Sequence, residues 1–290
     1  MPPERNKRLR ILIAQDVVQM PGAFNALAAR AAEKAGFEAV YVSGAGLANA
    51  VYGLPDVGMV TMSEAVAHAR NIVAAVSVPV VVDGDTGFGE AMNVARTVRE
   101  METAGVSGIH FEDQVLPKRC GHLDGKELVS AEAMAEKIRG ACAARSDSSF
   151  LIIARTDARG VTSFDDAVDR AKRYLDAGAD AIFPEAMQSA EELGRFAERV
   201  QAPLLANMTE FGKTPLLTLA ELRQMGYRMV IYPQTALRVA FGAVTQMLAD
   251  LRRSGDQRAW LDRMQTRAEL YDLLDYDGLS RIDSAAAKKG

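Results

Sequence analysis

Short apolar runs alternate along the chain with longer stretches whose apolar residues recur at helical spacing. The runs are Val17–Met20, Ala39–Val42, Val78–Val82, Gly108–Phe111, Phe150–Ala154, Ala181–Phe183, Pro203–Ala206 and Met229–Tyr232, of which the first is the weakest. They are continuous rather than alternating, the pattern of parallel strands buried on both faces. Between them, Ala91, Val94, Ala95, Val98 and Met101 precede Gly105 at helical spacing. Phe164, Ala167, Val168, Ala171, Tyr174 and Leu175 precede Gly178 in the same way. An apolar helical face stopped by a glycine is a helix with its C-terminal signal.

The glycines carry a second regularity. Helix ends are predicted at Gly36, Gly105, Gly178 and Gly226. Seven residues beyond each stands Ser43, Glu112, Glu185 or Pro233, where an apolar run ends. Two of the intervening units enter through a proline instead, with Asp83 four residues past Pro79 and Asn207 four past Pro203. Chance spacing in an Ala/Gly-rich chain is a poor account of four matches at one offset. Eight strand–helix units of about 30 residues predict an α/β fold, a (β/α)8 TIM-type barrel. A doubly wound open sheet is the alternative, but its Gly-x-Gly-x-x-Gly turn is incomplete at Gly44-Ala45-Gly46, with Asn49 in the third glycine's place. The chain then reads as one domain, residues 1–290. The barrel spans about 12–238 and a helical extension 239–290, with helices over Arg238–Arg252 and Gln257–Leu274 and a frayed tail from Ser284. That is more helix than a barrel uses, so a packing role or contact between subunits is expected.

Composition narrows the classes. The 290 residues carry 34 Lys+Arg against 38 Asp+Glu, and no basic stripe, so nucleic acid is not expected as a partner. Two cysteines cannot build a disulfide framework, which points to a reducing compartment. No apolar run nears the ~20 residues of a membrane span, and no signal-peptide core is present. A cytoplasmic enzyme is the expectation.

Active sites of such barrels lie at the C-terminal strand ends. Those ends offer Ser43, Asp83 and Asp85, Glu112 and Asp113, Arg155 and Asp157, Glu185, Asn207 and Thr209, and Arg238. Any one of them is as readily a cap or a solvated loop residue; the whole set implies a polar ligand. Asp83-Gly84-Asp85, with Glu112 from the next strand, offers hard oxygen ligands suited to Mg²⁺, with an Asx turn as the competing role. Zinc is disfavoured, because the 3 histidines and 2 cysteines show no ligand spacing. Cys120 lies in the polar loop Pro117–His122. Its flanking cations predict a lowered thiol pKa, and Gly121 and Gly125 predict a mobile lid. Cys142 reads as a packing residue, His110 as a core or supporting group and His68 as surface. Arg155 and Arg238 suit carboxylates. The residues alone therefore point to a Mg²⁺-dependent enzyme acting on a di- or tricarboxylate, with a cysteine moving a proton.

Several segments resemble the isocitrate lyase/phosphoenolpyruvate mutase superfamily. They are Ser43-Gly44-Ala45, Asp83–Gly89, Glu112-Asp113-Gln114, Lys118–His122, Ala154–Ala158, Phe183–Ala186, Asn207–Gly212 and Met264–Arg267. The Lys-Arg-Cys-Gly-His motif marks the carbon–carbon lyase branch. Within it the likeness leans towards enzymes that cleave 2-methylisocitrate to pyruvate and succinate. Alkylmalate lyases and oxaloacetate-cleaving enzymes are alternatives. A phosphonate mutase or hydrolase, and a non-catalytic carboxylate-binding barrel, rank lower.

The resemblance implies roles. Ser43 and the Gly44–Ala45 backbone hold the pyruvate carboxylate, with Arg155 nearby. Asp83, Asp85 and Glu112 hold Mg²⁺, or Mn²⁺, and Asp83 also borders the substrate. Cys120 protonates the enolate carbon of the released pyruvate. Tyr41 is a candidate for the hydroxyl proton. Glu185, Asn207, Thr209 and Arg238 hold the succinate half, and Lys118, Gly121 and His122 close over it. The resemblance also implies a homotetramer, a dimer of helix-swapped dimers. Two departures stand out: Gly84 replaces an alanine, adding backbone freedom, and Leu123-Asp124-Gly125 replaces an Arg-Pro-Asn found in one subgroup, which leaves the substrate open.

Overall fold

The computed structural model describes residues 2–287. All eight expected strands form, in order: β1 (Val18–Pro21), β2 (Val40–Val42), β3 (Val80–Asp83), β4 (Gly108–Glu112), β5 (Leu151–Thr156), β6 (Ala181–Pro184), β7 (Leu205–Asn207) and β8 (Met229–Tyr232). β3 and β7 begin after Pro79 and Pro203, later than the apolar runs do. A proline has no N–H to give a strand ladder. Every pairing is parallel. β2-β3-β4-β5-β6 form one sheet and β1-β8-β7 another. Isolated parallel bridges, Gly22 with Tyr41 and Ile182 with Leu204, join the two sheets at both ends.

The helices are α1 (Pro2–Gln15), α2 (Ala26–Lys34), α3 (Gly44–Tyr52), α4 (Met62–Ala75), α5 (Ala91–Ala104), α6 (Ala131–Ala144), α7 (Phe164–Asp176), α8 (Ala190–Arg199), α9 (Leu219–Gln224), α10 (Thr235–Ser254), α11 (Arg267–Leu273) and α12 (Tyr276–Ala287). The recurring glycines have a physical cause. Gly36, Gly105, Gly178 and Gly226 all have φ between +87° and +107°. That left-handed conformation turns each chain out of its helix towards the next strand. Side-chain caps start most helices. Thr61 and Thr218 each close a capping box, with Glu64 and Glu221.

The strand side chains divide between two cores. One lies between strands and helices and holds Val40, Val80, Val82, Ile109, Phe111, Ile152 and Val230. The other takes Met20, Tyr41, Val81, Ile153, Phe183, Leu205 and Ile231 from seven of the strands, and it includes Leu9 and Ile13 of α1. α1 was not legible in the sequence, where its basic residues obscure the apolar pair. Burying Leu9 alone is worth about 1.5–3 kcal/mol.

At the C-terminus the structure departs from expectation. α10 starts before Arg238, so that arginine belongs to a helix rather than a strand end. The stretch expected as one helix over Gln257–Leu274 breaks into a 3-10 turn, Arg258–Arg263, and α11. Ser284–Ala287 continue α12 instead of fraying; Lys288–Gly290 lie outside the described residues.

Candidate active site

Tyr41, Ser43, Ala45, Asp83, Lys118, Cys120, Gly121, His122, Arg155, Glu185, Asn207, Thr209 and Arg238 all line one cavity of about 560 Å³ at the C-terminal strand ends. Gly44, Asp85 and Glu112 lie just behind its wall. The strand ladder sets the depth of the main groups. Glu112 is opposite Arg155 between β4 and β5, and Asp83 is opposite His110 between β3 and β4.

Arg155 is the hub. Its Nε and Nη2 donate to Asp157 at 2.9 and 3.2 Å, and its guanidinium faces Glu112 at 3.2 Å and Glu185 at 3.8 Å. Burial opposes its charge, but Asp157, Glu112 and Glu185 outweigh it and raise its pKa further. Lys118 is buried between Asp56 and Asp85, 2.7 Å from the latter. Its charge is likewise fixed, since those acids outweigh the burial that would lower its pKa.

The carboxylates are unequal. Burial pushes Asp85 up to about 6 against the pull of Lys118. Burial also holds Glu112 well above the ordinary carboxyl range. Asp83 is buried too, but His110, Lys118 and Arg155 keep it below its ordinary value. Asp85 Oδ1 is buried against the Lys118 ammonium, and Glu112 Oε1 is buried without a hydrogen-bond donor. Among the described residues, no three His, Cys, Asp or Glu side chains converge as a metal cage. The expected trio therefore does not meet directly: Asp85 turns to Lys118 and Glu112 lies under Arg155. The donor set still suits a hard cation, because Mg²⁺ keeps several waters and completes its shell with substrate oxygens.

Ser43 caps α3, accepting from Gly46 N at 3.3 Å, and receives Gln234 Nε2 at 3.3 Å. Gly44 N donates to Asp83 Oδ2 at 3.1 Å. Gly84 answers a need for space rather than freedom: a Cβ there would lie 2.7 Å from the Phe111 ring and 2.8 Å from His110 O. The Tyr41 hydroxyl and His110 Nε2 are 2.7 Å apart, both residues buried. Burial and the neighbouring Asp83 push the Tyr41 phenol well above its ordinary pKa, so it holds its proton.

The thiol corrects an expectation. Cys120 was expected to be acidified by its flanking cations, but they face elsewhere. Lys118 reaches Asp56 and Asp85, Arg119 lies along Gly125, and His122 Nε2 meets Glu185 at 2.7 Å. Burial pushes the Cys120 thiol up, with Glu185 adding to the effect. His122 Nδ1 accepts from Lys213 N at 2.9 Å, which assigns the Nε2 proton to the Glu185 contact. Asn207 Nδ2 donates to both Glu185 oxygens at 3.3 Å. Arg238 reaches the cavity from the first turn of α10, and its guanidinium pairs with Glu210 at 2.8 Å. Cys142 packs against the core and its thiol donates to Gly178 O at 3.1 Å. His68 is not a surface group: it is half-buried, and its Nε2 is enclosed without a partner.

Asp56, Lys126 and Gln234 belong to the site or its support and were not read from the sequence. The two in loops follow no periodicity, and Gln234 only precedes α10. Asp113 and Asp157 were read as strand-end polar groups without a role; the structure makes both of them buried acceptors beneath Arg155.

Residues 9–252 match the family model described as phosphoenolpyruvate phosphomutase, and the chain belongs to that family, the phosphoenolpyruvate mutase/isocitrate lyase superfamily. Within it, the chain is 54% identical over 283 residues to the probable 2-methylisocitrate lyase 2 of Corynebacterium glutamicum, covering 97% of this chain and 92% of that one. It is 51% identical over 282 residues to the 2-methylisocitrate lyase of Aeropyrum pernix, covering 97% and 91%. A phosphonopyruvate hydrolase solved with oxalate and Mg²⁺ superposes with a TM-score of 0.87 at 33% identity, covering 97% and 98%. No helix among the described residues is long and apolar enough to cross a membrane.

Proposed function

We propose that the chain is a carbon–carbon lyase that cleaves 2-methylisocitrate to pyruvate and succinate. The observation that carries this reading is the cavity itself. A protonated thiol on a loop and a fixed guanidinium face one cavity that gathers Lys118, Arg155, Arg238, Asp83 and Glu185, within a chain about half identical to 2-methylisocitrate lyases. We also infer that the eight strands close as a TIM-type barrel, supported by the two bridges that link the sheets. Residues of about 12–238 would form that barrel, and 239–290 an extension serving a homotetramer of helix-swapped dimers.

Lys118 is already shared between Asp56 and Asp85, and Arg155 between Glu112 and Glu185. A tricarboxylate entering that field calls for added positive charge. Asp83, Asp85 and Glu112 would hold Mg²⁺, with Mn²⁺ an acceptable substitute, largely through water. When bound, the ion favours ionisation of the substrate hydroxyl and polarises the carbonyl that forms from it.

Arg155 and Ser43 would take the carboxylate of the pyruvate half. Asn207, Thr209, His122 and Arg238 would take the succinate half, with Glu185 orienting His122 and Asn207. The hydroxyl proton passes to water, from which Cys120 regains its own after turnover, the C–C bond breaks, and the hydroxyl carbon becomes the carbonyl of pyruvate. The bond's electron pair stays with the succinate carbon. This changes one expectation: Cys120 delivers its proton to that succinate carbon, not to pyruvate. A raised thiol pKa suits a donor that must stay protonated at neutral pH. Tyr41, which keeps its proton, would position the hydroxyl rather than deprotonate it.

Leu123, exposed on the lid, borders the cavity where one subgroup of relatives carries arginine, so the alkylmalate and oxaloacetate substrates are tested beside the lead. Pyruvate release is measured from 2-methylisocitrate and 2,3-dimethylmalate, glyoxylate release from isocitrate, and oxalate release from oxaloacetate. The highest kcat/KM should fall on 2-methylisocitrate; a higher value for another substrate overturns the assignment. Chelation should abolish turnover and added Mg²⁺ restore it. Full activity in excess EDTA would remove the metal from the reading.

A further inference from the structure

The loop that carries Cys120 is tied down from beneath by a lysine that does not reach the cavity. Residues 115–127 leave and rejoin the fold through an antiparallel bridge between Gln114 and Leu128. Val115 N donates to Glu127 O at 2.8 Å, and Val129 N to Asp113 O at 2.9 Å. Inside this stem the Lys126 side chain is fully buried, as is its partner Asp157. Its ammonium donates to Asp157 Oδ1 at 2.9 Å and to the carbonyl of Gly121, the residue after Cys120. The same Asp157 oxygen also accepts from Arg155 Nη2 at 3.2 Å, and the other from Arg155 Nε at 2.9 Å.

We propose that Lys126 is a positioning residue: it fixes the Cys120 loop over the site by joining the Gly121 carbonyl to the carboxylate that orients Arg155. The loop has little slack at this point. A Cβ on Gly121 would lie 2.4 Å from Glu185 Cγ and 2.5 Å from Arg155 Nη2, so its backbone rests directly on both side chains. Thiol and guanidinium therefore take their positions from one ammonium. Asp157 is itself held from behind, its N–H donating to Asp113 Oδ1 at 2.9 Å. The tie thus runs from the lid to the β4–β5 floor.

A purely architectural ion pair would need only Asp157. The second bond, to the lid carbonyl, is what gives Lys126 a place in the reaction. Without the ammonium, that carbonyl and Asp157 would each lose a buried donor, and water would compete for both. The loop would open more often, and the proton donor would spend less time in reach of its carbon.

The test uses the full chain with Mg²⁺ and two variants, Lys126→Met and Lys126→Arg. Iodoacetamide labelling of Cys120 and Cys142 is followed by peptide mass spectrometry, beside melting curves. Cys142 on α6 serves as the internal control for general loosening. In Lys126→Met, Cys120 should label about tenfold faster while Cys142 is unchanged, the signature of local rather than global opening. The kcat should fall by about a hundredfold, the scale of a 1 Å misplacement, with KM changing less than about threefold. Lys126→Arg, which keeps charge and donors, should recover most of the protection. Wild-type labelling of Cys120 in Lys126→Met, or equal acceleration at both cysteines, overturns the proposal. If Lys126→Met does not fold, Lys126→Gln is judged by the same two rates. The kcat arm rests on the lyase reading, but the labelling arm does not. A substrate assignment that fails therefore leaves the lid result standing.

Discussion

A side chain's neighbours in sequence and its neighbours in space are different sets, and Cys120 shows the cost of confusing them. Lys118, Arg119 and His122 surround it in sequence and predict an acidic thiolate, yet Lys118 pairs with Asp56 and Asp85, Arg119 lies along Gly125 and His122 meets Glu185. What the thiol meets is burial and the Glu185 carboxylate, which raise its pKa. The sign then fixes the pH behaviour. Iodoacetamide reacts with the thiolate, so labelling of Cys120 should be slow at pH 8 and keep rising through pH 9, above the ordinary thiol transition. A labelling midpoint near neutrality would restore the thiolate. Cys120→Ser keeps the shape but offers a far weaker acid. We expect it to fold and bind Mg²⁺ as the wild type does while turnover falls by about 10²–10⁴-fold, the usual worth of a positioned proton donor. Near wild-type cleavage would remove Cys120 from the chemistry. The candidate residues themselves were legible because polar groups at strand ends repeat at a fixed offset. Their partners were not: nothing in the sequence says that Lys126 turns inward or that Gly84 is pressed against Phe111.

At the scale of elements, the glycine and proline offsets marked six of the eight strands and the apolar runs the other two, because helix stops and ladder starts are local chemistry. How β4 and β5 are fastened is not local. Asp113, at the end of β4, is fully buried and accepts from Thr156 Oγ1, Tyr174 OH, Arg170 and the Asp157 backbone. Burial and Asp157 raise its pKa, and the donors around it oppose them. This node carries the arginine site on one side and α7 on the other. Tyr174 tests it gently, since its hydroxyl donates to Asp113 at 2.8 Å from a fully buried ring. Tyr174→Phe keeps the ring and leaves the carboxylate three donors, so it should cost about 1–3 kcal/mol in urea denaturation. A change below about 0.5 kcal/mol, the usual scatter of neutral surface substitutions, would mean that the node does not hold the two elements together.

At the scale of the whole molecule, the C-terminal extension leaves apolar residues uncovered. Val239 is 71% exposed on α10, Leu261 57% on the 3-10 turn, and Leu279 62% and Ile282 68% on α12. The strands bury their apolar residues almost completely, whereas this extension carries several bare ones close together in sequence, the surface of half an interface. The excess of helix was readable in the sequence, but which faces stay bare was not, because exposure depends on how α10 leaves β8. The first turns of α10 also carry Leu237, Arg238 and Phe241, which wall the cavity. Covering the extension would therefore bear on the site as well as on solubility. The full chain should run in light scattering as a tetramer, at four times the 31.3 kDa subunit mass. A chain ending at Gly255 keeps the cavity residues of α10 but loses α11 and α12. It should fall to a smaller species, and its specific activity should drop on dilution while that of the full chain holds. A monomeric full chain, or a truncated chain that keeps both its mass and its activity, would show that these helices serve something other than assembly.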